Sequence, residues 1–153
     1  MTITTTTHLN FRGDARAALE FYQSVFGGDR TVVTYGDFGM PGDLPGADEV
    51  VFGQVVAENG FRIMAYDVPA DSPAAAVPAA TVREHGRTLT GERFFVSVRG
   101  ETAEEVGGLW GGLADGAEVI EEYGPSAWAP GFGMLTDRFG VTWILDVAAP
   151  YAG

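Results

Sequence analysis

Residues 9–15 read LNFRGDA and residues 96–102 read VSVRGET. Each closes an apolar, alternating run with Arg-Gly-acid, and each precedes a stretch with helical spacing. The pair predicts a chain built from one unit written twice. Shifted by 87, residues 9–33 lie on 96–120 without a gap. Leu9, Phe11, Leu19, Tyr22, Phe26, Val32 and Val33 then fall on Val96, Val98, Val106, Leu109, Leu113, Val119 and Ile120. Shifted by 80, Phe52-Gly53 and Gly60 fall on Phe132-Gly133 and Gly140; the offset changes because the loop before residue 50 is seven residues longer in the first copy. Two ordered blocks with matching Gly and apolar positions are the signature of an internal repeat.

Working outward, residues 2–11 are β-branched and alternating and predict a strand. Asp14 is the expected N-cap of a helix over Ala15 to Phe26, which Gly27-Gly28 ends. Strands are expected at Thr31 to Tyr35, Val50 to Ala57 and Phe61 to Tyr66, with a Gly- and Pro-rich loop at 36–48 and a hairpin turn at Glu58-Asn59-Gly60. The second copy predicts a strand at Phe94 to Val98 and a helix over Glu101 to Ala114, opened by the capping pattern Thr102-x-x-Glu105. A strand at Val119 to Glu122, a loop at Tyr123 to Pro130 and a hairpin of Phe132 to Thr136 with Val141 to Asp146 complete it. The expected fold is therefore α+β, two βαβββ modules at 1–67 and 91–153 within one structural domain. The Pro- and Ala-rich residues 68–90 read as an extended connector with a short helix near Ala74 to His85. The second helix contains VGGLWGGL, and each interior Gly costs about 1 kcal/mol relative to Ala. Either close packing against neighbouring backbone compensates, or the helix is frayed or broken there.

Hydrophobic residues make up 46% of the 153, enough for a real core. No apolar run is long enough to span a bilayer and the N-terminus lacks a signal-peptide pattern, so a soluble cytoplasmic protein without a membrane partner is expected. The absence of Cys excludes disulfides, thiolate nucleophiles and Cys-based zinc sites. The net charge of −12 repels a phosphate backbone, so no nucleic-acid partner is expected. There is no nucleophile elbow, P-loop or Gly-rich dinucleotide turn. Glu104-Glu105 and Glu121-Glu122 read as solvated pairs, because adjacent side chains on a strand point to opposite faces.

Residues 9–28, LNFRGDARAALEFYQSVFGG, resemble the opening of PhnB-like proteins of the glyoxalase, bleomycin-resistance and extradiol-dioxygenase group, the vicinal-oxygen-chelate superfamily. Residues 131–146, GFGMLTDRFGVTWILD, resemble the closing hairpin of that family. The resemblance implies strands curled into a half-barrel around a ligand cavity, a homodimer, and in many members a divalent metal on the cavity face. The metal-ligand positions of the superfamily, carried over by the same offsets, fall on Thr6, Met64, Arg93 and Ile144. A His and a Glu that PhnB-like sequences carry on the third strand fall on Phe52 and Gln54. None of these is an ordinary metal ligand, so no cofactor is expected at the usual site, while a divalent metal at a displaced site stays open.

His8 is the tentative catalytic residue. Strand alternation puts Leu9 and Phe11 on one face and Thr6, His8 and Asn10 on the other, so His8 faces the expected cavity if Leu9 and Phe11 pack under the helix. It reads as a displaced ligand, a general base, a hydrogen-bond donor to a ligand, or simply a partly buried His satisfied by backbone or water. Under the offset of 87 its counterpart is Phe95. Gln54, Met64, Tyr66 and Ile144 are the further cavity candidates, with Thr142 and Asp146 beside them, and Trp128 is either a pocket lid or a dimer contact. Two functions follow. One is a small-molecule-binding protein of this superfamily without metal at the usual site. The other is a lyase, isomerase or dioxygenase that uses His8 with a metal, or as acid/base with Tyr66 or Asp146.

Overall fold

The computed structural model describes residues 2–149. It divides after Ala74 into two compact units. In the first, β1 (Thr7–Phe11) leads into α1 (Ala15–Phe26), followed by β2 (Asp29–Thr34), β3 (Val50–Val56) and β4 (Arg62–Asp67). The sheet order is β1-β4-β3-β2, with β1 parallel to β4 and the other pairs antiparallel. α1 lies on one face because its Ala15, Ala18, Leu19, Tyr22 and Phe26 form an apolar stripe, all buried. It meets Leu9, Phe11, Val55, Ile63 and Ala65, the alternate residues of the strands, which are buried too.

The second unit begins with a hairpin, β5 (Val82–Glu84) and β6 (Arg87–Leu89). β7 (Val96–Gly100), α2 (Ala103–Ala114), β8 (Glu118–Gly124), β9 (Phe132–Thr136) and β10 (Thr142–Val147) then repeat the first topology in the order β7-β10-β9-β8. Neither four-stranded sheet closes into a barrel. The repeated Phe-Gly of β3 and β9 has a packing cause. A Cβ on Gly53 would sit 2.4 Å from Leu19 Cδ1, and one on Gly133 would sit 2.7 Å from the Trp110 ring, so these glycines let each helix seat on its sheet.

Several expectations change. Residues 2–6 lie outside the first strand. The connector contains no helix. It forms the β5–β6 hairpin, turned by His85 (φ 54) and Gly86 (φ 75), the two left-handed residues that a type I′ turn requires. α2 is continuous through its four glycines. A Cβ on Gly107 would meet the Tyr123 ring at 3.3 Å, whereas Gly108 and Gly111 face open space.

The residue-level alignment also shifts. Leu9 pairs with Ala65 and Val98 pairs with Leu145, so β1 and β7 are related by 89, not 87, when β4 and β10 are related by 80. The helices begin at Ala15 and Ala103, an offset of 88. Three residues, Arg12-Gly13-Asp14, make the first corner, and two, Glu101-Thr102, make the second. The two Arg-Gly-acid runs are therefore not the same corner. Arg12 has left its strand and donates to the carbonyls of Ser72 (3.0 Å) and Pro73 (2.8 Å). Arg99 is still in β7 and forms a bidentate pair with Asp146 of β10, at 3.0 and 2.9 Å. Gly13 (φ 99) occupies the left-handed region at the extra position.

The helix N-termini are satisfied differently as well. Asp14 makes no side-chain cap. The buried carboxylate of Asp67 replaces it: Oδ1 accepts from the amides of Gly13 (2.8 Å) and Ala15 (3.0 Å), and Oδ2 from that of Val50 (2.9 Å). In the second unit Thr102 is the cap, its Oγ1 accepting from Glu105 N at 3.1 Å. Among the described residues no helix is long and apolar enough to cross a membrane.

Candidate functional site

Pairing register assembles the first unit's candidates on the sheet face opposite α1. His8 lies beside Met64, and Met64 beside Gln54, in one row across β1, β4 and β3; Asn10 lies beside Tyr66 in the next row. His8 and Asn10 are exposed and Gln54, Met64 and Tyr66 are half-buried. Nδ1 of His8 lies 3.1 Å from Oδ1 of Asn10; the tautomer protonated at Nδ1 makes this hydrogen bond and leaves the lone pair of Nε2 for a ligand. The Tyr66 ring stands edge-on to the imidazole with centroids 5.2 Å apart. Thr6 is held at the margin, where its Oγ1 accepts from Nε of Arg62 at 3.4 Å. Phe52 shares this face with Gln54 by strand alternation. The arrangement offers one imidazole acceptor, two amides and a phenol among Met64 and Phe52.

Trp128 and Ile144 belong to the second unit. Ile144 lies between Ser97 and Met134 and is half-buried. Trp128 is 56% exposed, edge-on to Phe132 at 5.1 Å, in a loop that Ser126 orders by accepting from the amide of Ala129 (3.1 Å). With the corrected register the counterpart of His8 is Ser97, because Ser97 pairs with Ile144 as His8 pairs with Met64. The expected counterpart Phe95 precedes β7. Asn10 corresponds in the same way to Arg99, and Tyr66 to Asp146, whose carboxylate is held by Arg99.

This second face is filled from above by the β5–β6 hairpin and the segment after it. Thr88 donates towards Met134 Sδ (3.8 Å), and the Arg83 guanidinium lies 5.3 Å from the Phe132 ring centroid. Glu92 accepts from the Thr142 hydroxyl at 2.9 Å and from that of Thr81, while Thr142 and Thr136 hydroxyls meet at 2.8 Å. Met134 (1%) and Thr142 (2%) are buried where their counterparts Gln54 and Arg62 are not. The sequence signal for this cover was His85-Gly86 between Val82 and Leu89. It is a weak signal, because three-residue strands are too short to show a period.

The donor chemistry does not suit a divalent ion. The carried-over positions Thr6, Met64 and Ile144 offer no ordinary ligand; the offset of 89 moves the fourth from Arg93 to Phe95, which offers none either, and among the described residues no three His, Cys, Asp or Glu side chains are grouped to hold a metal.

Paired βαβββ modules with mixed, open sheets define a class of protein in which one small fold is duplicated along one chain. The family follows from comparison: the model of the Glyoxalase/Bleomycin resistance protein/Dioxygenase superfamily matches residues 6–145, and the chain belongs to this superfamily. It is 25% identical to protein YjdN of Escherichia coli strain K12 over 147 residues, 92% of each chain. Its fold is similar to that of protein PA1353 from Pseudomonas aeruginosa, with a TM-score of 0.77 and 27% identity, over 95% of this chain and 98% of that one. It is also similar to a putative 3-demethylubiquinone-9 3-methyltransferase, PhnB protein, from Bacillus cereus, with a TM-score of 0.68 and 26% identity, over 95% and 100%.

Proposed function

We propose that the protein binds a small, largely apolar molecule on the open face of its first module, without a metal at the positions the superfamily uses. One observation carries this reading. The row His8–Met64–Gln54, with Asn10 and Tyr66 beside it, is left uncovered by its own module, whereas the equivalent face of the second is filled by Thr88, Arg83 and Glu92. A face that mixes a few fixed polar groups with apolar side chains suits a small ligand held by shape and oriented by two or three hydrogen bonds. The test pairs elemental analysis of the purified protein with titration by a neutral aromatic probe, 1-naphthol. The reading expects saturable binding that Met64→Glu abolishes, and no stoichiometric metal. Tightly held zinc, nickel, manganese or iron that disappears in His8→Ala contradicts it.

The hydrogen bond from His8 to Asn10 favours a second reading, an enzyme of the lyase, isomerase or dioxygenase type. It leaves Nε2 as a base that can take a proton from a ligand on this face, with the Tyr66 hydroxyl as a candidate donor. Asp146 is a poorer partner than its position in the sequence suggested, because Arg99 holds both of its oxygens. Unchanged turnover in His8→Ala, on a substrate found by screening, removes His8 from the reaction. The homodimer implied by the family likeness is part of the same reading, and sedimentation equilibrium tests it.

A further inference from the structure

The first copy of the repeat has a long loop that the second lacks. Residues 35–49 join β2 to β3, whereas 125–131 suffice between β8 and β9. The longer loop is built, not merely tolerated. Tyr35 N donates to Glu49 O (3.0 Å) and Gly36 N to Ala47 O (2.8 Å), closing its neck. Met40 N donates back to Tyr35 O (3.0 Å), and Ala47 of the loop is buried. At its base, Thr34 N donates to Asp37 Oδ2 (3.0 Å) and Asp37 N to Thr34 Oγ1 (3.1 Å). A compact loop whose ends meet and whose interior is packed is a frequent carrier of binding sites.

Between this loop and residues 69–71 lies a cavity of about 360 Å³, within the range that holds small organic ligands. Its walls include Tyr35, Met40, Pro45 and Pro69, and its charged members are Glu49 and Asp71. Among the described residues no basic one lines it. The Tyr35 hydroxyl donates to Asp67 O at 2.6 Å, which fixes the ring as a wall and occupies its proton. Burial first, then the charges of Tyr66, Asp67 and Glu49, push the phenol above its ordinary range. Arg12 and Arg16 donate to the carbonyls of Ser72, Pro73 and Asp48, beside Asp71 and Glu49 in the chain, and so are engaged with backbone. Among the described residues neither Glu49 nor Asp71 forms an ion pair.

We propose that this loop cavity is a second small-molecule site, separate from the His8 face, and that it takes an organic cation with an apolar body. An aromatic ring, a thioether and two prolines receive the body, and two unpaired carboxylates with the ring face receive the charge. The overall charge of −12 raises the local concentration of such a ligand.

The test is isothermal titration of the full chain with benzyltrimethylammonium, with phenylacetate as the oppositely charged probe. The expected result is saturable one-to-one binding of the cation in the millimolar range or tighter, and none of the anion. Glu49→Gln with Asp71→Asn weakens the cation about fivefold or more, the loss expected when a cation's charged partners are removed from a partly desolvated site. Glu118→Gln with Glu122→Gln, the same charge change on the exposed β8, leaves affinity unchanged, and so does His8→Ala. Absence of saturable binding, or equal weakening by the β8 pair, overturns the proposal. Loss of 1-naphthol binding with the cation still bound overturns only the reading of the His8 face.

Discussion

The two modules share a topology and solve its local problems with different residues. At the start of α1 the amides of Gly13 and Ala15 are satisfied by Asp67, which arrives from β4, and at the start of α2 the amide of Glu105 by Thr102, the residue that precedes the helix. The hairpin turns repeat the contrast. In the first module Asn59 ties the turn, accepting from Phe61 N (3.0 Å) and donating to Phe26 O (3.1 Å). In the second, buried Asp137 accepts from the amides of Phe139 (2.8 Å) and Val141 (3.0 Å) and from the Trp143 indole (2.9 Å). The faces opposite the helices differ most. One carries exposed His8 and Asn10 beside half-buried Gln54 and Tyr66, and the other is closed by its own hairpin. A duplicated fold is constrained by which groups must be buried and satisfied, not by which residue satisfies them. That freedom leaves one face available for a ligand.

The comparison can be broken most sharply at Asp67. Removing its carboxylate strips three backbone amides of their acceptor, so Asp67→Ala is expected to destabilise the protein by about 3 kcal/mol or more in urea unfolding. A loss below about 1 kcal/mol means that the first module does not depend on this cap. Trp143→Phe removes the indole N–H from Asp137 and is expected to cost about 2 kcal/mol. Ile63→Val at the equivalent place in β4 costs only about 1 kcal/mol, because a methylene and no hydrogen bond is lost. Thr102→Ala is expected to cost about 1 kcal/mol, whereas Asp14→Ala, at the matching position, stays within about 0.5 kcal/mol because its side chain caps nothing. The smallest effect has the opposite sign. Gly108→Ala and Gly111→Ala meet nothing within 4 Å, and each is expected to add about 0.5–1 kcal/mol, read as a rise in unfolding midpoint.

Much of this was legible in the sequence. The bounds of α1 and of β9 agree with their periodicity, and Thr102 caps α2 as its spacing to Glu105 predicts. What escaped has physical causes. A strand keeps the same face outward when shifted by two, so offsets of 87 and 89 satisfy the apolar alternation equally, and only pairing with β4 and β10 decides between them. The missing corner residue was hidden because Arg12-Gly13 and Arg99-Gly100 match in letters while occupying different backbone. Asp67 lies 52 residues from Ala15, beyond the reach of local capping rules. On the candidate face, alternation alone placed His8 opposite Leu9 and Phe11, while the hydrogen bond to Asn10 and the edge contact with Tyr66 required the folded register.

The central claim is that the first module presents a binding face and the second does not. The most direct test is a residue-resolved NMR titration of the full chain with 1-naphthol. Saturating shift changes are expected at His8, Asn10, Gln54, Met64 and Tyr66, with Ser97, Met134, Thr142 and Ile144 unmoved. Changes centred on the second set, or none on the first, contradict it.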